Sequence, residues 1–178
     1  GFDIQPLIDG EIDAYDGYVT NEPFLLEEKG IPYRLIDPRT YGIDFYGDVL
    51  FTSQNELNEH PERVAAFRKA SMDGWRYAMA NPEEIIDLIM QKYAPQKTRD
   101  HLRFEAKAMW NLMQPDIIEI GHMNPGRWLR IAEVMTEHQR IIDEPMLNRF
   151  IYDGDKYQPN LSRYLRIATV SSLLALLL

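Results

Sequence analysis

Polar residues follow a segment of alternating aromatic and small residues near the start of the chain. Residues 12–19 alternate in the manner of a strand, and Thr20, Asn21 and Glu22 come directly after them. Backbone N–H groups at a turn from strand to helix can hold an anion, and the carboxylate of Glu22 can accept from an amino group or a ring N–H. Tyr18 lies near the carboxyl end of this predicted strand, so we expect its ring to line a pocket. The sequence therefore predicts a small-molecule site at this turn.

A plainer interpretation of the same turn stays open. Asn21 is a favoured residue at the start of a helix, and an acidic residue such as Glu22 is favoured in the first turn. In that interpretation the two side chains only cap the helix that begins here. A strand places Tyr15 on the face opposite Tyr18, so Tyr15 is expected in the core.

A second aromatic segment with two glycines, residues 41–48, follows. Glycine lets the backbone turn sharply or approach a ligand closely. Tyr41, Asp44 and Tyr46 are the residues of this segment that we expect at the rim or hinge of a ligand site. The alternative is a loop that packs its aromatic rings onto the rest of the domain.

The residue types that support catalysis or metal binding are sparse. The chain has no cysteine, which excludes a thiol nucleophile and a zinc–thiolate site. Glu119 and His122 have the Glu-x-x-His spacing of di-iron bundles, but such sites need two copies, and a turn explains this one. We therefore expect no catalytic residue, no metal and no cofactor in this chain.

Composition limits the classes of partner. A chain of 178 residues is long enough for one domain with a sizeable core. The formal net charge of −9, with basic residues scattered among acidic ones, argues against nucleic-acid binding.

The elements that must position these residues are predicted to be short strands followed by helices. The predicted strands are residues 12–19, 33–36 and 48–52. The predicted helices are residues 21–29, closed by Gly30, and four that begin at Pro61, Asn81-Pro82, Thr98 and Asn124-Pro125. In the helix from Pro61, the face expected to be buried carries Val64, Phe67, Ser71, Trp75 and Ala78.

Several segments together carry a family resemblance, which runs over roughly residues 5 to 140. These segments are residues 7–11, 12–23, 25–32, 41–48 and 65–78. They resemble the periplasmic solute-binding proteins related to binders of thiamine pyrimidine precursors, in the form fused to membrane signalling proteins. The resemblance implies an α/β fold of the type II periplasmic-binding-protein kind, represented mainly by the second lobe and C-terminal helices. It also implies that the Tyr18–Glu22 turn faces the ligand, since an amino-pyrimidine has a donor edge for Glu22.

The two ends of the chain suggest a fragment of a longer protein. The chain begins at Gly1 without an initiator Met, and the resemblance implies a first lobe before it. Residues 1–152 are then the solute-binding-like domain, 153–164 a linker, and 165–178 the start of a transmembrane helix. The apolar run 167–178 is shorter than the about 20 residues that span a bilayer, so a buried C-terminal helix is the alternative.

Two functions follow as expectations. The first is an extracytoplasmic, membrane-tethered sensor domain on the periplasmic face of the inner membrane, whose ligand-driven closure controls a diguanylate cyclase or histidine kinase. The alternative is a freestanding solute-binding protein of an ABC importer. The expected partners are a heterocyclic small molecule, the membrane through the C-terminal helix, and a second copy in a homodimer, with no nucleic acid. An enzyme is not expected in this fragment.

Overall fold

The computed structural model describes residues 3–94, 96–137, 147 and 149–153. Within those residues the elements are helices joined by turns and irregular segments. In chain order they are α1 (Gln5–Ile8), α2 (Glu22–Glu28), a 3-10 helix (Pro38–Tyr41), α3 (Gln54–Glu59), α4 (Pro61–Ala80), α5 (Pro82–Lys92), α6 (Arg99–Met113) and α7 (Pro125–Glu137).

The helix starts agree with the sequence predictions. Helices begin at residues 22, 61, 82, 99 and 125, where Pro and capping residues had placed them. Thr98 caps α6 as expected, since its Oγ1 accepts from the backbone N–H of His101 at 3.2 Å. Gly30 has φ +67°, a left-handed conformation that closes α2 at little cost for a glycine.

The three predicted strands are wrong for this structure. Residues 12–19, 33–36 and 48–52 have irregular backbone, and no strand occurs in the part of the chain that the structure describes. A strand exists only beside a hydrogen-bonded neighbour. Alternation of side chains shows which residues would share a face, but it does not supply that neighbour.

The chain divides into two compact units. Unit 1 comprises the described residues of 1–44 and 72–124, and unit 2 those of 45–71 and from 125 onward. The buried apolar residues of unit 1 are Ile4, Leu26, Met72, Ile86 and Leu102. Those of unit 2 are Leu57, Ala132 and Val134.

Helices α5 and α6 of unit 1 are joined along their exposed edge by ion pairs. Arg103 Nε lies 2.7 Å from Glu83 Oε1, and Arg99 Nη1 lies 3.0 Å from Glu83 Oε2. These groups are solvent-exposed, so each pair contributes little stability. The packing of Ile86 and Leu102, both buried, carries most of the free energy of this helix pair.

The apolar face predicted for α4 is not buried as expected. Phe67 is 63% exposed and Trp75 is 43% exposed, whereas Met72 is the buried residue of the helix. Helical spacing predicts which residues share a face. Whether another element covers that face depends on tertiary packing, which the spacing does not contain.

No helix among the described residues is long and apolar enough to cross a membrane. The predicted transmembrane start at residues 165–178 lies outside the described residues, as does the predicted linker apart from Asp153.

Candidate functional site

Glu22 is a buried carboxylate at the first position of α2. Its side chain is only 5% exposed. Oε2 accepts from the backbone N–H of Tyr18 at 2.6 Å, and Oε1 accepts from Asn21 Nδ2 at 3.1 Å. Each carboxylate oxygen can accept a further hydrogen bond. The carboxylate is therefore held in one orientation and keeps capacity for a ligand donor.

Gly17 makes room for this carboxylate. A Cβ atom at Gly17 would lie 3.1 Å from Cγ, Cδ and Oε2 of Glu22. That separation is below ordinary van der Waals contact, so a side chain here would press on the carboxylate. The glycine thus allows the backbone before Tyr18 to pass close to Glu22.

Asn21 connects Glu22 to α6 rather than capping α2. The Asn21 side chain makes no capping hydrogen bond to α2. Its Oδ1 lies 3.0 Å from His101 Nε2 and accepts from Lys97 Nζ at 3.4 Å. Lys97 also donates to Glu105 Oε1 in a short contact. The plain capping interpretation is therefore wrong for the Asn21 side chain.

His101 is a buried residue of this cluster, and the sequence analysis did not assign it a role. It is 7% exposed, and its ring stacks on Phe24 with centroids 4.5 Å apart. Burial lowers the pKa of His101, while nearby Glu105 raises it and Lys97 lowers it further. The net direction favours the neutral imidazole. The available sequence signal was the i, i+4 spacing of His101 and Glu105 on α6.

Two backbone N–H groups of the turn, those of Asn21 and Glu22, are already occupied. Both donate to the carbonyl of Tyr18, at 2.9 Å and 3.2 Å. These two groups are thus not free to hold an anion. The carboxylates of Glu22 and Glu105 outnumber the ammonium of Lys97 here, so the cluster favours donor-rich or cationic groups.

Other predicted site residues occupy different surroundings. Tyr18 is 63% exposed next to the Glu22 carboxylate, and Thr20 is half-buried. Tyr41 ends the 3-10 helix and is 68% exposed. Asp44 is half-buried in unit 1. The structure brings Tyr18, Asn21 and Glu22 together.

Tyr46 lies in an aromatic cluster of unit 2. The Arg127 guanidinium sits 4.2 Å from the Tyr46 ring centroid, and Arg127 Nη2 donates to the carbonyl of Phe45 at 2.9 Å. Trp128 packs on Tyr46 at 5.0 Å, and Phe150 meets Trp128 edge-on at 4.9 Å. The rings pack onto one another, which agrees with the alternative interpretation of this segment as a packed loop.

The Glu119-x-x-His122 segment is a turn. The His122 backbone N–H donates to the Glu119 carbonyl at 2.9 Å, and Gly121 has φ +83°. Glu119 Oε1 accepts from Arg76 Nη2 at 3.1 Å. Within the described residues, no group of three His, Asp or Glu side chains has the geometry to hold a metal ion.

One known family matches the part of the chain that contains the Tyr18–Glu22 turn. Residues 1–85 match the NMT1/THI5-like family. The formylaminopyrimidine-binding protein of Halalkalibacterium halodurans is 28% identical over 93 residues, which cover 51% of this chain and 28% of that protein. This chain thus spans less than a third of the relative's length. No solved structure matches the chain significantly.

Both matches support the resemblance to solute-binding proteins, and the relative from Halalkalibacterium halodurans is named as a binding protein. The NMT1/THI5-like match includes Gly17, Tyr18, Asn21 and Glu22, whereas Lys97, His101 and Glu105 lie after its end. Similarity to this family therefore covers the residues of the polar cluster around Glu22, whereas the residues around His101 are assigned to the cluster by their geometry.

Proposed function

We propose that this chain is part of an extracytoplasmic solute-binding protein whose ligand is a pyrimidine-like heterocycle. The observation that carries the proposal is the buried, oriented carboxylate of Glu22 inside the segment that matches the NMT1/THI5-like family. The relative is named for a formylaminopyrimidine ligand, and this chain takes a ligand of the same chemical class.

The chemistry of the turn supports such a ligand. An amino-pyrimidine presents an exocyclic amino group beside a ring nitrogen, and a carboxylate accepts from the amino group and, where the ring is protonated, from the ring N–H. Glu22 is held by Tyr18 N and Asn21 Nδ2, so it meets the ligand without first being immobilised. Tyr18, whose backbone N–H binds this carboxylate, is exposed, and its ring is the proposed surface for stacking on the heterocycle.

The remaining predicted residues of unit 1, Thr20, Tyr41 and Asp44, are proposed as rim or hinge positions of this site, and Tyr46 stays a proposed ligand residue within unit 2. They keep this role as a proposal, with Tyr18, Asn21 and Glu22 at the centre. Alanine substitution of a rim residue is expected to weaken ligand binding less than substitution of Glu22, because rim contacts stay solvated.

Two settings for the binding function are proposed, with the sensor placed first. In the sensor, ligand binding shifts a helix that enters the inner membrane and so controls a diguanylate cyclase or histidine kinase. In the carrier, the protein delivers its ligand to an ABC importer. Reading the gene beyond Leu178 decides: further apolar residues and a cytoplasmic domain indicate the sensor, and an early stop codon the carrier. Static light scattering with and without ligand tests the proposed homodimer.

Thermal-shift screening tests the binding function itself. The protein is heated with formylaminopyrimidine, other amino-pyrimidines, vitamins and amino acids, and the ligand-induced change in Tm is compared between variants. We expect an amino-pyrimidine to raise Tm in the wild type and in Glu27→Gln, a change on the same helix. The rise should be lost in Glu22→Gln. If no heterocycle raises Tm, or if Glu22→Gln keeps the full rise, the proposal is wrong.

A further inference from the structure

A chain of hydrogen bonds links His101 of α6, and Lys97 just before this helix, to the Glu22 carboxylate that is proposed to bind the ligand. It runs from His101 Nε2 and Lys97 Nζ to Asn21 Oδ1, and from Asn21 Nδ2 to Glu22 Oε1. Asn21 and His101 are 80 positions apart in the sequence. We infer that His101 and Lys97 are positioning residues for the Glu22 carboxylate and that they act through the Asn21 amide. This inference rests on the proposed function for its bearing on ligand binding.

The orientation of the Asn21 amide follows from its neighbours. Lys97 and His101 both face the same amide atom, and an ammonium can only donate. That atom must therefore be the oxygen, which leaves the amide nitrogen to donate to Glu22. The opposite orientation would place an NH2 group against an ammonium and an oxygen against a carboxylate. Two independent contacts thus agree on one orientation.

The same contacts assign the proton on His101. Because Asn21 Oδ1 only accepts, His101 Nε2 carries the hydrogen in this bond. Glu105 Oε1 lies 3.4 Å from the same nitrogen and also only accepts, so it is compatible with that tautomer. Stacking on Phe24 fixes the plane of the ring, and the neutral form suffices for the bond.

The orientation of the Asn21 amide determines the orientation of the Glu22 carboxylate. Glu22 has one oxygen on Asn21 Nδ2 and the other on the backbone N–H of Tyr18, so a rotation of the Asn21 amide would release one of its two anchors. The donors of Lys97 and His101 hold the amide in place, and they do so from outside the segment that matches the NMT1/THI5-like family. The expected consequence is a site whose carboxylate is pre-oriented before ligand arrives.

A pair of substitutions at His101 separates hydrogen bonding from packing. His101→Phe keeps the aromatic stack on Phe24 but removes the donor, whereas His101→Gln restores an N–H donor at a similar reach. The first readout needs no ligand: hydrogen exchange of the Tyr18 amide, which is protected by Glu22. We expect exchange to become about tenfold faster in His101→Phe, the effect of losing one buried hydrogen bond, and to stay within about threefold of wild type in His101→Gln. The exposed Lys107 of α6 provides the control, because Lys107→Ala should change nothing.

The second readout is the affinity for formylaminopyrimidine, used as the probe. Its Kd should rise about tenfold in His101→Phe and recover in His101→Gln. Unchanged Tyr18 exchange in His101→Phe overturns the inference whether or not the probe binds. Faster exchange with an unchanged Kd overturns the role in ligand binding. If the wild type binds no probe, the proposed function fails for this ligand, while the exchange measurement still decides whether His101 positions Glu22.

Discussion

Because Gly17 lies close to Glu22, Gly17→Ala should change the free energy of unfolding in a direction that depends on whether Glu22 is present. Gly17→Ala adds a Cβ atom 3.1 Å from three atoms of the Glu22 side chain. The backbone of Gly17 is not left-handed, so alanine is otherwise allowed there. The substitution gains about 0.4–1 kcal/mol by restricting the unfolded chain. Against that gain stands the overpacking of a well-filled site, which costs about 1–3 kcal/mol.

Overpacking should prevail because the carboxylate has no freedom to move aside. Its oxygens are bound to Tyr18 N at 2.6 Å and Asn21 Nδ2 at 3.1 Å, so a shift of a few tenths of an ångström lengthens both bonds. We expect Gly17→Ala to lower the free energy of unfolding by about 1 kcal/mol in the wild type. In a Glu22→Ala background, where the crowding is gone, it should raise that free energy by about 0.5 kcal/mol.

Urea denaturation of the wild type, both single variants and the double variant measures this coupling. The expected coupling energy between the two sites is about 1–2 kcal/mol. A change at Gly17 with the same sign and size in both backgrounds would refute the conclusion that Glu22 is held against this backbone.

The other predictions concern single features of unit 1 and α4. Because burial lowers the pKa of His101, the stability that its neutral side chain contributes is fully present above the unfolded pKa of about 6.5 and is lost as pH falls through the folded pKa. Tm measured from pH 7.5 to 5 should therefore fall less in His101→Gln than in the wild type. An equal fall in both proteins would contradict this role of His101. Gly121→Ala should destabilise by about 2 kcal/mol in urea denaturation, because alanine at φ +83° is strained and its Cβ would lie 2.0 Å from Met72 Sδ. Gly74→Ala, in an α4 position with open space, should instead stabilise by about 0.5–1 kcal/mol, and equal effects at the two glycines would contradict both. Thr98→Ala should lower the free energy of unfolding by about 1 kcal/mol through loss of the α6 cap, whereas Thr98→Ser should retain it.

The helix boundaries were predictable because their chemistry is local. Thr98 accepts from a backbone N–H only three residues ahead, and Pro82 and Pro125 sit where their fixed φ suits a first turn. Such signals need no knowledge of the rest of the chain. Even so, the Asn residues before α2 and α5 occupy cap positions without side-chain capping bonds. Asn81 Nδ2, for example, donates back to the Tyr77 carbonyl.

The strands and the second half of the site depended on distant partners. Residues 12–19 alternate, but a strand requires a neighbour, and the described residues provide none. Asn21 was identified by its position in the turn, yet four α-helices, α2 to α5, separate it in the sequence from its partners Lys97 and His101. A buried histidine on an amphipathic helix carries little signal by itself, because core packing explains it equally well.

The exposed aromatic residues of α4 show that helical spacing does not by itself predict burial. Phe67 and Trp75 have the spacing of a buried stripe but remain exposed, at 63% and 43%. Met72 is the buried residue of the same helix, and Val64, Ser71 and Ala78 of the predicted face are half-buried. Spacing alone could not predict how much of this face is covered, because that depends on which neighbouring element packs on the helix.

Calorimetric titration of formylaminopyrimidine into the wild type, Glu22→Gln and Glu27→Gln tests the central claim most directly. Glu27 lies on the same helix as Glu22, and its carboxylate accepts from the Tyr33 hydroxyl at 2.7 Å. Glu27→Gln therefore controls for the loss of a carboxylate outside the proposed site. We expect saturable binding to the wild type and to Glu27→Gln. Affinity should fall by about 10-fold to 100-fold in Glu22→Gln, the effect of losing a charged hydrogen-bond acceptor. Equal affinity in Glu22→Gln and wild type, or no heat of binding in the wild type, would contradict a ligand held by the Glu22 carboxylate.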